Sequence, residues 1–221
     1  MVVSRKLKGN EIAMTEAEVA SWQRNAGKRL LECVGVTAGK VVLDFGCGEG
    51  NYTKIVARIV TLTGMVYALD KNQEVLDKLI RSAREKGLDN VVRLDTSGNM
   101  PLPLRDVSVD VVLLYDVLHL IGWSGGESGE TVRRGTTSDR RAVMKELFRI
   151  SRPAGVVSIY CPHLVTHTDV ESEQDIATEL KDEGFDLRDD FYAELIHDGS
   201  LVRGHIVNFI KRARMNRRAS C

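Results

Sequence analysis

Three glycines alternate with larger residues in Gly46-Cys47-Gly48-Glu49-Gly50, directly after the apolar run Val41-Val42-Leu43 and the pair Asp44-Phe45. A stretch so poor in side chains lets the backbone turn tightly and lets a ligand approach without meeting a Cβ, as the mouth of a strand-to-helix crossing in an α/β sheet requires. Asp70 closes the next apolar run, Met65 to Leu69, and comes about twenty residues after the loop, the interval at which a carboxylate accepts hydrogen bonds from ribose hydroxyls. A glycine turn alone often does no more than start a helix. Asp44 before the glycines and Asp70 after them turn the same loop into the outline of a nucleoside site.

Other reactive types lie further along. His119 comes about one helical turn after the run Val109 to Leu114, and an imidazole titrates near working pH, which makes it the candidate general base. Tyr115 and Asp116, at the carboxyl end of that run, are expected to line the pocket. Cys161, His163 and His167 have the types to bind a soft metal, but Pro162 and their irregular spacing read as an ordinary loop, so no metal site is expected. Cys47 reads as a small packed residue rather than a reactive thiol.

These residues need elements to position them. From Thr15 a helix is predicted, with a Thr15/Glu18 capping box and Val19, Trp22, Ala26, Leu30 and Cys33 at helical spacing. Strands are predicted at Val41–Leu43, Met65–Leu69, Val91–Leu94, Val109–Leu114 and Val156–Tyr160, their continuous apolar character fitting strands covered on both faces. Helices are predicted at Tyr52–Val60, Glu74–Lys86 and Arg140–Arg152, the last stopped by a Pro153-Ala154-Gly155 turn. A further helix capped by Thr168 and Glu171 ends at Gly184, and strands Phe185–Ile196 and Leu201–Ile210 flank the hairpin turn His197-Asp198-Gly199-Ser200. The alternation implies an α/β fold: a Rossmann-like, doubly wound, seven-stranded, mostly parallel sheet with helices on both faces and a C-terminal antiparallel hairpin strand. Residues 1–221 are read as one domain, with a helical segment at 1–38, the α/β core at 39–212 and a basic tail at 213–221.

At these residues the chain resembles the class I S-adenosylmethionine-dependent methyltransferases, of the small-molecule, type 11-like kind. DFGCGEG (44–50) matches the acid and GxGxG of their first motif, and ALDKN (68–72) the ribose-binding second. RLDTSGNMPLP (93–103) is similar to the third motif, VDVVLLYDVLHLI (109–121) to the fourth strand and its adjoining helix, and ELFRISRPAGVVSIY (146–160) to the penultimate helix, turn and fifth strand. The usual PGG turn is Pro153-Ala154-Gly155 here, and the loop 121–140 is longer than the family commonly has. The resemblance implies S-adenosylmethionine as cofactor, bound by Asp44, Gly46, Cys47, Gly48, Gly50, Asp70, Lys71, Asp95 and Tyr115. Within that set Gly46, Gly48 and Gly50 would pack against its methionine and ribose parts, Asp70 would take the ribose hydroxyls, Asp44 would organise the loop or the amino group, and Asp95 would sit beside adenine.

The charge balance excludes some partners. Lys plus Arg number 31 and Asp plus Glu 31, so no whole-molecule field draws the chain to nucleic acid or an anionic membrane. The one basic concentration, Lys211 to Arg218, reads as a solvated terminus. Four cysteines without a CxxC pair suggest a reducing compartment, and no signal peptide or spanning segment is visible, so a cytoplasmic location is expected. An Asn-Pro-Pro-Tyr tetrapeptide and a cysteine pair for attack on pyrimidine C6 are both lacking, which favours a small-molecule methyl acceptor. The glycine- and arginine-bearing stretch Trp123–Ser138 reads equally as a lid or an insertion. Two other readings stay open: a non-catalytic module that binds the cofactor, and an NAD-dependent oxidoreductase. The latter is disfavoured because a dinucleotide fingerprint needs a third glycine where Asn51 stands.

Overall fold

The computed structural model describes residues 14–96, 100–122, 136–163 and 173–213. Strands β1 (Val41–Phe45), β2 (Met65–Leu69), β3 (Val91–Arg93), β4 (Val109–Tyr115), β5 (Ser151–Tyr160), β6 (Phe185–His197) and β7 (Ser200–Lys211) form one sheet in the order β3-β2-β1-β4-β5-β7-β6. The first five strands pair in parallel, whereas β7 runs antiparallel to both β5 and β6. Strand order reverses between β1 and β4, and at that switch point the carboxyl ends of the strands open a crevice.

Both faces of the sheet are covered, and the strand residues alternate between them. Val111 and Leu113 of β4 join a cluster with Leu30, Leu31, Ile55 and Val56 from helices α2 (Ala26–Val34) and α3 (Thr53–Val60). Val112 and Leu114 turn the other way, onto Val143, Leu147 and Ile150 of α5 (Thr137–Ile150) and Ile176 and Leu180 of α6 (Glu173–Asp182). Helix α4 (Gln73–Glu85) packs Leu76 and Leu79 on Ala68 of β2. The fold is thus the Rossmann-like, doubly wound, mostly parallel sheet that the alternation implies.

Local chemistry sets the ends of the elements. Thr15 and Glu18 cap α1 (Glu16–Arg24) reciprocally, Glu18 N donating to Thr15 Oγ1 at 3.3 Å and Thr15 N to Glu18 Oε2 at 2.7 Å. The helix expected to run on from Thr15 breaks at Asn25 (φ −115°, ψ −92°), which separates α1 from α2. After the break Leu30, Leu31 and Val34 face the core and Cys33 is exposed, against its expected place on the buried face. The β6–β7 turn is a two-residue one in which Asp198 (φ 47°) and Gly199 (φ 77°) both adopt the left-handed region that matches strand twist.

Two other boundaries differ from expectation. Pro153-Ala154-Gly155 lies inside β5, which starts at Ser151; the β4–β5 register shifts there, and Ala154 takes φ 60°. Helix α5 starts at Thr137, capped by Thr136 and Asp139, so Ser138 is helical while 123–135 lies outside the described residues. The Thr168/Glu171 cap and His167 also lie outside them. Lys211 and Arg212, read as part of a basic terminus, are structural. Lys211 Nζ donates to the carbonyls of Phe148 (2.6 Å) and Ser151 (2.7 Å), and Arg212 pairs with Asp186.

Candidate functional site

A cavity of about 390 Å³ opens at the carboxyl ends of β1 to β4. Gly46 from the end of β1, Asp70 and Lys71 from the end of β2, Thr96 beyond β3 and Asp116 after β4 supply its polar wall. Phe45, Leu69, Met100, Leu102, Val117 and Val143 supply an apolar one. The volume and the mix of a few polar groups on an apolar lining suit a small-molecule cofactor.

The three glycines do different work. Gly46 N and Cys47 N both donate to Leu69 O, at 2.7 and 2.9 Å, binding the loop to the end of β2. A Cβ on Gly46, which sits at φ 82°, would stand 2.5 Å from Val117 Cγ2. Gly48 (φ 49°) has nothing within 4 Å of where its Cβ would be, and its N–H donates to Asp70 Oδ2 at 2.8 Å. Gly50 is not among the lining residues. Its bare Cα admits Leu79, whose Cδ1 would be 2.1 Å from a Cβ there, so this glycine serves the packing of α4.

Asp44 stands behind the loop. It is 3% exposed and accepts the Thr53 hydroxyl at 2.5 Å, which ties β1 to the start of α3. Burial pushes its carboxyl up to about 6, with the Thr53 hydrogen bond opposing and Asp70 adding to the rise. Burial, with Asp44 and Asp70 nearby, also drives the Cys47 thiol upward, so it stays protonated and packed.

Asp70 holds two segments at once, since its other oxygen accepts Asn72 N at 2.9 Å. Lys71 lines the cavity beside it. Asp95 accepts Arg93 Nε at 2.5 Å on the exposed side, and its neighbour Thr96 reaches the cavity in its stead. Tyr115 points to the opposite face of the sheet: its hydroxyl lies 2.9 Å from Ser158 Oγ and its ring meets Tyr52 edge-on at 4.8 Å. His119 is buried behind Asp116, its Nδ1 3.4 Å from Asp116 Oδ1, and does not itself line the cavity. The structure therefore brings Gly46, Gly48, Asp70 and Lys71 to one place, sets Asp44, Cys47 and Gly50 as their support, and holds Asp95, Tyr115 and His119 apart.

Sequence reasoning missed the apolar wall and one histidine. Met100, Leu102 and Val117 carry no periodic signal that separates a pocket wall from core. His197 lies far along the chain, yet it arrives at the carboxyl ends of β4 and β5 because β7, antiparallel to β5, puts the hairpin turn there. Only the Asp198-Gly199 turn signal, combined with the strand order, would locate it.

Residues 36–206 match a family described as a methyltransferase domain. The chain is 31% identical over 132 residues to a demethylmenaquinone methyltransferase of Lactobacillus johnsonii, a match covering 60% of this chain and 48% of that one. It is 29% identical over 123 residues to a probable tRNA methyltransferase 9B of Mus musculus, covering 55% of this chain and 22% of the other. The chain spans about half the length of the demethylmenaquinone methyltransferases it matches. A crystal structure of a SAM-dependent methyltransferase from Aquifex aeolicus superposes with a TM-score of 0.63 at 21% identity, covering 90% of this chain and 99% of that one, which is a likeness of fold. With most of its length inside the family match and the glycine loop facing Asp70 across the crevice, this chain belongs to the methyltransferase domain family.

Proposed function

We propose that the chain transfers the methyl group of S-adenosylmethionine to a small-molecule acceptor. One observation carries the reading: Gly46 and Asp70 line the same cavity, and the Gly48 N–H and the Asp70 carboxylate join the two sides of its mouth. The residues present fit the cofactor. Open space beside Gly48 leaves room for a ligand against bare backbone, and a carboxylate at the end of β2 meets the hydroxyls of a ribose.

S-adenosylmethionine, when bound, supplies a methyl group on an electrophilic sulfonium. The remaining task of the chain is to hold the acceptor in line and keep water out. Asp70 would hold the ribose, Gly46 and Gly48 would let it approach, Lys71 and Thr96 would complete the polar side, and Leu69, Met100, Leu102 and Val143 would exclude water. Asp44, through Thr53, fixes the loop. His119 contacts Asp116 rather than the cavity, so we assign it a positioning role on that carboxylate. Among the described residues, Asp70, Lys71 and Asp116 are the only strongly ionisable side chains lining the cavity, which suits an acceptor atom that needs little help losing a proton. A carbon activated by neighbouring oxygens, a thiolate or a neutral amine qualifies.

The relative in Lactobacillus johnsonii, a demethylmenaquinone methyltransferase, supports a small acceptor. The murine relative named for tRNA supplies the second reading, against which stand a formal net charge of zero and the absence of a basic surplus. The test is transfer of labelled methyl from S-adenosylmethionine to a metabolite extract and, separately, to total tRNA, with products identified by mass spectrometry. Label in a small molecule is expected. Label in tRNA alone overturns the acceptor class, and cofactor binding without transfer to either pool makes the chain a binding module.

A further inference from the structure

Outside the glycine loop, reactive side chains gather once more among the described residues. Asp116 after β4, His163 after β5 and His197 at the end of β6 meet above the carboxyl edge of the sheet, three elements far apart in sequence. His197 Nδ1 lies 2.9 Å from Asp116 Oδ2, and its Nε2 lies 2.9 Å from His163 Nε2. One donor atom from each of the three residues falls within 4.8 Å of the others. His119 Nδ1, 3.4 Å from the other Asp116 oxygen and 3.9 Å from Cys161 Sγ, backs the group. Three of the chain's five histidines are thus drawn into one corner, and methyl transfer as derived above uses none of them in contact with the cofactor.

Two features say that the corner is built for something. Asp116 takes φ 54°, a left-handed backbone that aspartate tolerates better than most residues with a Cβ, and its N–H donates to Tyr160 O at 2.6 Å. Its Oδ1 is buried and makes no hydrogen bond. This carboxylate thus has one oxygen that makes no hydrogen bond, with His119 Nδ1 3.4 Å away, and stands beside two imidazoles that face each other.

We propose that Asp116, His163 and His197 form a binding site for a divalent transition-metal ion of the zinc type, beside the cavity that Asp116 also lines. Two imidazoles and one carboxylate are the donors such an ion takes, and three protein donors leave a position open for water or an acceptor oxygen. The ion would replace the proton that His163 and His197 share. Between the two Nε2 atoms, a tetrahedral ion about 2.0–2.1 Å from each donor needs its donors about 3.4 Å apart, so the two rings must separate by about half an ångström and Asp116, which meets His197 through Nδ1, must turn to the Nε2 side from within 4.8 Å. Asp116 belongs to both sites, so an ion here would stand where an acceptor enters.

The experiment uses the untagged 221-residue chain, stripped by chelator and dialysed, and titrated with Zn²⁺ by calorimetry and with Co²⁺ by visible absorption. One ion per chain is expected, with Co²⁺ giving the ligand-field bands of a four- or five-coordinate site. His163→Ala and His197→Ala should each weaken Zn²⁺ binding at least about tenfold, while His205→Ala, outside the group, leaves it unchanged. His163→Gln and His197→Gln serve if an alanine variant does not fold, as judged by circular dichroism. Failure of the wild-type chain to bind Zn²⁺ stoichiometrically, or equal affinity in folded variants of both histidines, overturns the proposal. A titration of the same metal-free protein with S-adenosylmethionine reports on the cofactor site separately.

Discussion

At single residues, the proposed cofactor site rests on two carboxylates with opposite environments. Asp70 is within reach of ligand, and Asp70→Ala should weaken S-adenosylmethionine binding by about 1–3 kcal/mol through lost hydrogen bonds to a charged acceptor, measured by calorimetry. Asp44 is sealed in, and its raised pKa has a consequence for stability. The unfolded chain ionises it near 3.8 and the folded chain near 6, so the folded state holds the extra proton between those values and loses stability as pH rises through them. The shift corresponds to about 3 kcal/mol. Denaturant melts from pH 4 to pH 6 should show this loss in the wild type and its absence in Asp44→Asn. Both aspartates are legible in the sequence as strand ends beside a glycine loop. Their division of labour is not, because which carboxylate is buried depends on Thr53 and the packing of α3.

At the scale of elements, tertiary partners decide what sequence pattern leaves open. Helices α5 and α6 are joined by Arg140 and Glu179, an ion pair with side chains 1% and 7% exposed and contacts of 2.7 and 3.1 Å. Removing one partner strands a buried charge, so Glu179→Ala should cost about 3–5 kcal/mol, whereas replacing both residues by methionine should cost far less; urea unfolding of the three proteins checks it. Strand positions are readable to within two residues for β1 to β4, where apolar runs meet turn residues. Two departures stand out: Asn25 breaks a helix that its neighbours' spacing would continue, and Pro153-Ala154-Gly155 is absorbed into β5 between residues paired with β4, a pairing that no local signal announces. The same dependence on long-range pairing hides His197.

For the whole molecule, fold and cofactor site are one problem, since the switch point between β1 and β4 creates the crevice and the loops after β1, β2 and β4 fill its walls. Ligand binding to the folded state alone should therefore stabilise the entire chain. At a concentration one hundred times the dissociation constant the gain is about 2.7 kcal/mol, or roughly 5–10 °C in melting temperature for a chain of this size, read by differential scanning fluorimetry. We propose that the crevice accepts an adenosyl group with its ribose on Asp70. A calorimetric titration of the chain with S-adenosylmethionine, and in parallel with NAD⁺, decides it. One site for S-adenosylmethionine is expected, markedly weakened in Asp70→Ala, with no comparable binding of NAD⁺; tighter binding of NAD⁺, or S-adenosylmethionine affinity untouched by the substitution, would contradict it.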